Sequence, residues 1–262
     1  SIAMATYNGD KYLLEQLYSI NEQILKPHEL VICDDGSTDG TIEILEKFCK
    51  KARFPVHIHR NDENLGFGDN FLKAAGLCSG NWVAFCDQDD VWLPNKLSDA
   101  VKAIEQNAEA LMILQNAWIC DENLKRRGDL FPNKFSPGNY DVGSQYGFWV
   151  WLGCMQTIHA SVIKLAGNLP RPLNFSPKFE RQAHDVWTCM MVNAIGGITV
   201  LDHPSALYRR HSATLTSDYA KRGMVGKLHT ASFVGAVHYS FLSQVAESSA
   251  KYLSEIASKT EE

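Results

Sequence analysis

Trp82-Val83-Ala84-Phe85-Cys86-Asp87-Gln88-Asp89-Asp90 runs from a short apolar segment straight into three carboxylates within four residues. A brief continuous apolar run bounded by polar residues is the pattern of a strand covered on both faces. Two earlier segments repeat it. Ser1-Ile2-Ala3-Met4-Ala5 ends at Thr6-Tyr7-Asn8-Gly9, and Leu30-Val31-Ile32-Cys33 ends at Asp34-Asp35-Gly36-Ser37. Between them Tyr12, Leu13, Leu17 and Ile20 recur at helical spacing, closed by Pro27, and Ile42, Leu45 and Phe48 mark a second helix over 41–48. Residues 56–59 read as a further strand, and a helix follows Asn64-Leu65-Gly66 through 71–77. Strands alternating with helices predict an α/β fold with a mostly parallel sheet between helical layers.

Beyond this third of the chain, 111–119 reads as a long strand and 121–146 as polar loop, with Pro132, Pro137 and several glycines. Residues 147–155 are rich in aromatics. Residues 184–195 read as a helix, 198–201 and 206–208 as two strands, and the chain from 218 onward as helix.

Composition narrows the function classes. Of the 262 residues 45% are hydrophobic and 21% charged, which excludes disorder and repeat fibres. A net charge of -5 argues against nucleic-acid binding through bulk positive charge. No apolar run is long enough to span a bilayer. No leader-like segment is read at Ser1, and a few native residues are expected to precede it. The seven cysteines are scattered without a C-x-x-C pair, which points to reduced thiols and a cytoplasmic location.

In open parallel sheets, ligands bind beyond the carboxyl ends of the strands. Each polar strand end here reads alone as an ordinary turn. Three on one sheet edge point to a ligand site. Asp87, Asp89 and Asp90 repel one another unless a cation or donors offset them, and hard carboxylate oxygens suit Mg2+ or Mn2+. Asp90, ahead of Trp92-Leu93-Pro94, reads as a helix N-cap, and so does Asp185. His57 and His59 share a strand face with no evident partner and read as surface histidines.

Taken in order, Thr6-Tyr7-Asn8-Gly9, Asp34-Asp35-Gly36-Ser37-Thr38-Asp39, Asn64-Leu65-Gly66 with Asn70, Asp87-x-Asp89, His184-Asp185-Val186-Trp187 and Tyr208-Arg209-Arg210-His211 resemble the family 2 glycosyltransferases. The resemblance spans about 1–216. It implies a GT-A fold, a three-layer α/β/α sandwich, with 217–262 as a C-terminal helical extension. It also implies inverting, metal-dependent sugar transfer. Thr6, Tyr7, Asn8, Asp35, Asn70 and Asp87 would serve the nucleotide-diphosphate sugar, with Arg209 or Arg210 on its phosphates. Asp89 and His211 would hold Mg2+ or Mn2+, and Asp185 would be the catalytic base. Trp149, Trp151, Gly153, Cys154 and His184 fall where acceptor contacts are expected. His184 stands where the family usually has Glu.

The branch resembled builds bacterial surface polysaccharides, so dTDP-rhamnose or a UDP-sugar is the expected donor and a glycan or lipid-linked glycan the acceptor. Lys221, Arg222 and Lys227 among apolar residues allow the tail to lie on an anionic membrane surface at the inner face of the cell membrane. Packing back on the domain, or on a second copy, is the favoured reading of that tail. Two rivals stand beside transfer. A sugar-phosphate nucleotidylyltransferase would carry a Gly-rich, Arg-containing first loop, unlike Thr6-Tyr7-Asn8-Gly9-Asp10-Lys11. A non-catalytic nucleotide-sugar or glycan-binding module would bind donor without turnover.

Overall fold

The computed structural model describes residues 1–130, 136–143, 152–171 and 181–212. The aromatic pair Trp149 and Trp151 and the extension from 217 lie outside them. The first strands are β1 (Ile2–Thr6), β2 (Leu30–Asp34), β3 (Val56–Arg60) and β4 (Trp82–Cys86). They alternate with α1 (Asp10–Asn21), α2 (Thr41–Cys49) and α3 (Phe67–Leu77). Then follow β5 (Val91–Trp92), α4 (Lys96–Gln106), β6 (Ala110–Cys120), β7 (Arg126–Asp129) and β8 (Gly138–Tyr140). A short 3-10 turn (Gly153–Met155) leads into β9 (Gln156–His159), α5 (Ala160–Asn168), α6 (His184–Ile195) and β10 (Gly197–Arg209).

One mixed sheet has the order β3-β2-β1-β4-β9-β6-β10-β5, with β7 beside β6 and β8 beside β10. Strands β3, β2, β1 and β4 are mutually parallel. Strand β9 opposes both β4 and β6, β10 runs parallel to β6, and β5 opposes β10. All strands of this path except β9 and β5 therefore point the same way, as the sequence pattern predicts.

Alternation along the strands builds two cores. Ala3, Val83 and Phe85 pack with Phe71 and Ala74 of α3, Val162 of α5 and Trp187 of α6. Ile2, Met4, Ala84 and Cys86 point the other way, onto Leu13, Leu17 and Ile20 of α1 and Leu45 and Phe48 of α2. This is the expected three-layer sandwich. All seven cysteines are free thiols, five of them buried. His57 and His59 are exposed on β3, and His57 Nε2 lies 3.7 Å from Glu29, a partner that the sequence alone did not reveal. No helix among the described residues is long and apolar enough to cross a membrane.

Several expectations are corrected. The 121–146 segment contains β7 and β8, each a few polar residues paired with a long neighbour. The two strands expected at 198–201 and 206–208 are one strand, β10, interrupted by irregularities around Pro204, which lacks an N–H for the ladder. Asp90 caps no helix, because β5 intervenes and Asn95 takes the N-cap position of α4. Asp185 lies in the first turn of α6, whose N-cap is Ala183.

Leu13 is fully buried between α1 and the sheet. Leu13→Ala should cost roughly 2–5 kcal/mol, read as a shift of the urea midpoint at unchanged slope.

Candidate functional site

In-register parallel pairing aligns the polar ends. Thr6 pairs with Asp34, and Met4 with Cys86, the residue before Asp87. Arg209 pairs with Cys120 on the parallel β10–β6 ladder, so His211 and the turn at Asp121 and Glu122 follow strands that point to the same edge.

The β1 and β2 ends are locked by side chains. Asp34, fully buried, accepts from Thr6 Oγ1 at 2.9 Å and from the Ser37 N–H at 2.9 Å. Asn8, at a φ of 46°, accepts from the Thr38 N–H at 2.9 Å through Oδ1. Gln88 bridges both polar groups of Tyr7, accepting from its N–H and donating to its C=O, each at 3.0 Å. A Cβ at Gly9 would come within 2.2 Å of Gln88 Oε1, so a larger residue there would push the Gln88 amide from this position. The Tyr7 ring stays exposed above the edge.

Asp35 is nearly enclosed. Its carboxylate accepts from Asn61 Nδ2 at 2.7 Å and from the N–H groups of Leu65 and Gly66, both at 2.8 Å. Asn70 is buried behind it, accepting from Asn61 at 2.9 Å and donating to the Cys33 C=O at 2.8 Å. These residues hold the Asn64-Leu65-Gly66 loop against the end of β2. Asn70, expected at the donor, is thus turned into this anchor.

The three carboxylates after β4 diverge. Asp89 Oδ2 meets His211 Nε2 at 2.8 Å, both largely shielded from water. Asp87 is half-buried, and its pKa rises to about 7, chiefly through burial, then through the charges of Asp89 and Asp185. Asp90 is fully buried. Its Oδ1 accepts from the Arg209 N–H at 3.0 Å, and its Oδ2 has no partner. Burial pushes the Asp90 carboxyl well up. Lys96, also buried, donates to Ser205 Oγ at 3.1 Å and lies 5.0 Å from the Trp92 ring centroid. Burial lowers its pKa to about 8.

Arg209 departs from its expected place on the donor phosphates. It is buried, and each guanidinium nitrogen donates to protein. Nε reaches the Asp89 C=O at 2.7 Å, Nη1 the Glu122 C=O at 2.6 Å, and Nη2 the Glu15 carboxylate. Its planar group lies 4.4 Å from the Tyr12 ring centroid, and Tyr12 also packs on His211 with centroids 4.8 Å apart. Arg210 is half-buried, its N–H on the Cys120 C=O at 2.8 Å and Nη1 on Tyr208 Oη at 3.3 Å.

On the other side, Asp185 is half-buried and bonded by the Val186 N–H at 2.8 Å and by the Gly153 N–H. Burial raises its pKa to about 6. Gln156 ties the helix start down by donating to the Asp185 C=O at 3.1 Å. His184 turns inward, stacked on Phe71 at 4.0 Å and edge-on to Phe85 at 4.8 Å, with neither ring nitrogen bonded. Burial, then the Arg171 charge, lower its pKa to about 3. A Cβ on Gly153 would stand 2.3 Å from His184 Nε2. Gly153, Cys154 and His184 are all buried, so none of the three offers the acceptor contact expected of it. Phe67, Phe71 and Phe85 thus form an aromatic cage around the His184 ring.

Two donor sets could hold a divalent cation. Asp87, Asp90 and Cys154 bring ligand atoms within 4.8 Å of one another, but two of the three residues are fully buried. Burial also raises the thiol's pKa well above its ordinary value, which disfavours the ligating thiolate. Asp89 and His211 fit better. A carboxylate oxygen and an imidazole nitrogen converge there, and both side chains keep partial access to solvent, from which such ions draw their remaining phosphate and water ligands.

The comparisons agree with this geometry. Residues 1–162 match the model described as Glycosyl transferase family 2, and the chain belongs to that family. An uncharacterized glycosyltransferase, MJ1057 of Methanocaldococcus jannaschii, is 28% identical over 196 residues, covering 74% of this chain and 64% of its own. The dTDP-rhamnosyl transferase RfbG of Shigella flexneri is 36% identical over 108 residues, covering 40% of this chain and 37% of its own. Among solved structures, S. aureus TarS 1-349 in complex with UDP-GlcNAc superposes with a TM-score of 0.66 at 23% identity, covering 83% of this chain and 60% of that one. This last likeness establishes the GT-A fold. The chain spans 64%, 52% and 52% of the length of the first curated relatives it matches.

The depressed His184 pKa sets a sign for pH dependence. Unfolded, the ring titrates at its ordinary 6.5; folded, at about 3. The stability it contributes is therefore present above 6.5 and lost as the pH falls toward 3. On acidification from about pH 7.5 to about pH 5.5, urea unfolding of the wild type should lose about 1 kcal/mol more than that of His184→Leu. Equal losses in the two proteins would show that His184 is protonated in the fold.

Proposed function

We propose that this chain is a metal-dependent inverting glycosyltransferase that moves a sugar from a nucleotide-diphosphate donor to a glycan hydroxyl. The observation that supports the reading is that Asp185, held by the Val186 and Gly153 N–H groups and with a pKa raised to about 6, lies close enough to Asp87 for their charges to interact. A single displacement needs a base on the acceptor side and charge stabilisation on the leaving diphosphate side. The reading assigns both to this one sheet edge.

Residues Thr6, Tyr7, Asn8 and Asp35 frame the nucleoside end of the proposed donor site. The exposed Tyr7 ring is suited to stacking on a base, and Asp35 keeps the Asn64-Leu65-Gly66 loop in place beside it. Asp87 is assigned to the ribose or sugar. Asp89 and His211 are assigned to Mg2+ or Mn2+, which when bound would neutralise charge on the departing diphosphate. Arg210, at the mouth of the same edge, is the remaining candidate for a phosphate contact. Asp185 takes the proton of the attacking hydroxyl, and its raised pKa brings it close to the value a general base needs at neutral pH.

The similarity to a dTDP-rhamnosyl transferase and the fold shared with a UDP-GlcNAc complex support dTDP-rhamnose or a UDP-sugar as donor. The proposed acceptor is a glycan or lipid-linked glycan in bacterial surface polysaccharide synthesis, at the inner face of the cell membrane.

A nucleotide-sugar panel with Mg2+ or Mn2+, read by thermal shift and nucleoside diphosphate release, tests this reading. Asp185→Asn should lower transfer by about 10²–10⁴-fold while donor binding stays unchanged; retained turnover removes Asp185 from the base role. The wild-type rate should rise with pH through about 6 as Asp185 ionises. Asp89→Ala should abolish the metal-dependent part of the donor-induced thermal shift. Pyrophosphate release from a nucleoside triphosphate and a sugar 1-phosphate would instead identify a nucleotidylyltransferase.

A further inference from the structure

We infer that Arg209 is a positioning residue that sets the Asp89–His211 pair, not a phosphate ligand; this rests on the proposed role of that pair. The geometry is a closed ring. Arg209 Nε donates to the Asp89 C=O at 2.7 Å, and two residues along the chain His211 Nε2 meets Asp89 Oδ2 at 2.8 Å. The Arg209 N–H holds the next carboxylate, Asp90, at 3.0 Å. One residue thus bonds two successive residues of the acidic loop and carries on its own strand end the imidazole that faces that loop.

The ring is tied to the rest of the fold through the same guanidinium. Nη2 is paired with Glu15 on α1, and Nη1 donates to the Glu122 C=O in the turn after β6 at 2.6 Å. Tyr12 lies against both Arg209 and His211, and its hydroxyl donates to Glu122 Oε2 at 3.3 Å. Burying an arginine is costly unless its charge is paired and its donors are used. Here the charge is paired with Glu15 and each of the three nitrogens has one protein acceptor, which uses three of the five N–H donors. Only a rigid planar group with donors in several directions can join α1, the acidic loop and the β6 turn at once. A lysine ammonium is a point charge on a flexible stem and cannot do so. Residues that orient metal ligands in this way typically change metal affinity by about 10–100-fold when altered.

The test uses Arg209→Lys and Glu15→Gln in the full chain. Glu15→Gln weakens the clamp at its far end and leaves the arginine in place. Mn2+ affinity is titrated in the presence of UDP or dTDP, nucleotide affinity is measured separately with chelator present, and metal-free crystal structures of both variants are solved. The expected result is Mn2+ affinity weakened by about 10–100-fold in Arg209→Lys and in the same direction in Glu15→Gln. Metal-free nucleotide affinity should hold, and the Asp89–His211 contact should open. Loss of metal-free nucleotide affinity in Arg209→Lys would make Arg209 a phosphate ligand and overturn the inference. A lowered melting temperature with wild-type Mn2+ affinity would reduce the clamp to a structural role and overturn it too. If Arg209→Lys fails to fold, Glu15→Gln decides by the same criteria. If the wild type binds no Mn2+ with either nucleotide, the proposed function fails. The metal-free structures then judge the clamp alone, and an unchanged Asp89–His211 contact in the folded variants refutes it.

Discussion

The in-register parallel pairing of β1 with β2 on one side and β4 on the other is the constraint from which the site follows. Parallel strands end at the same edge, so polar residues far apart in the chain arrive together. Because helices cover both faces of the sheet here, β1, β2 and β4 are apolar almost to their last residues, and polar chemistry gathers at their ends. The antiparallel strand β9 extends this sheet to β6 and β10, whose ends add Glu122, Arg209 and His211 to the same edge.

Crowded charge is the cost of that convergence. Asp87, Asp89, Asp90 and Asp185 lie near one another, and the protein treats them differently. Asp90 sits in the interior near Lys96 and bonds to backbone, Asp89 meets a histidine, and Asp87 and Asp185 are half-buried with raised pKa values. Four residues of one chemical type thereby acquire separate environments through burial and partners, the condition for dividing different functions among carboxylates.

The legible parts were those with local physical causes. Apolar runs of strand length and helical spacing located β1 to β4 and α1 to α3, and the polar strand ends marked the site. The illegible parts depended on neighbours. Strands β7 and β8 are short and polar, existing because β6 and β10 offer them an edge. Glu15 and Glu122 look like ordinary surface acids, and only the arrival of Arg209 from the far end of the chain makes them part of the site. His184 and Cys154 looked like acceptor-side residues by position but lie in the interior.

The sequence by itself determined the α/β class and the acidic strand end at Asp87 and Asp89, because backbone periodicity and residue chemistry are local properties; Asp185 and His211 became candidates only through the resemblance to the family. Only the tertiary structure decided which of the neighbouring polar residues face outward. Adjacent residues at a strand or helix end point in different directions, so Asp89 and Asp90, or His184 and Asp185, part company within one step of the chain. Their fates were set by what packs against each: His211 at the edge or Arg209 in the interior, the Phe71 ring or the Gly153 N–H.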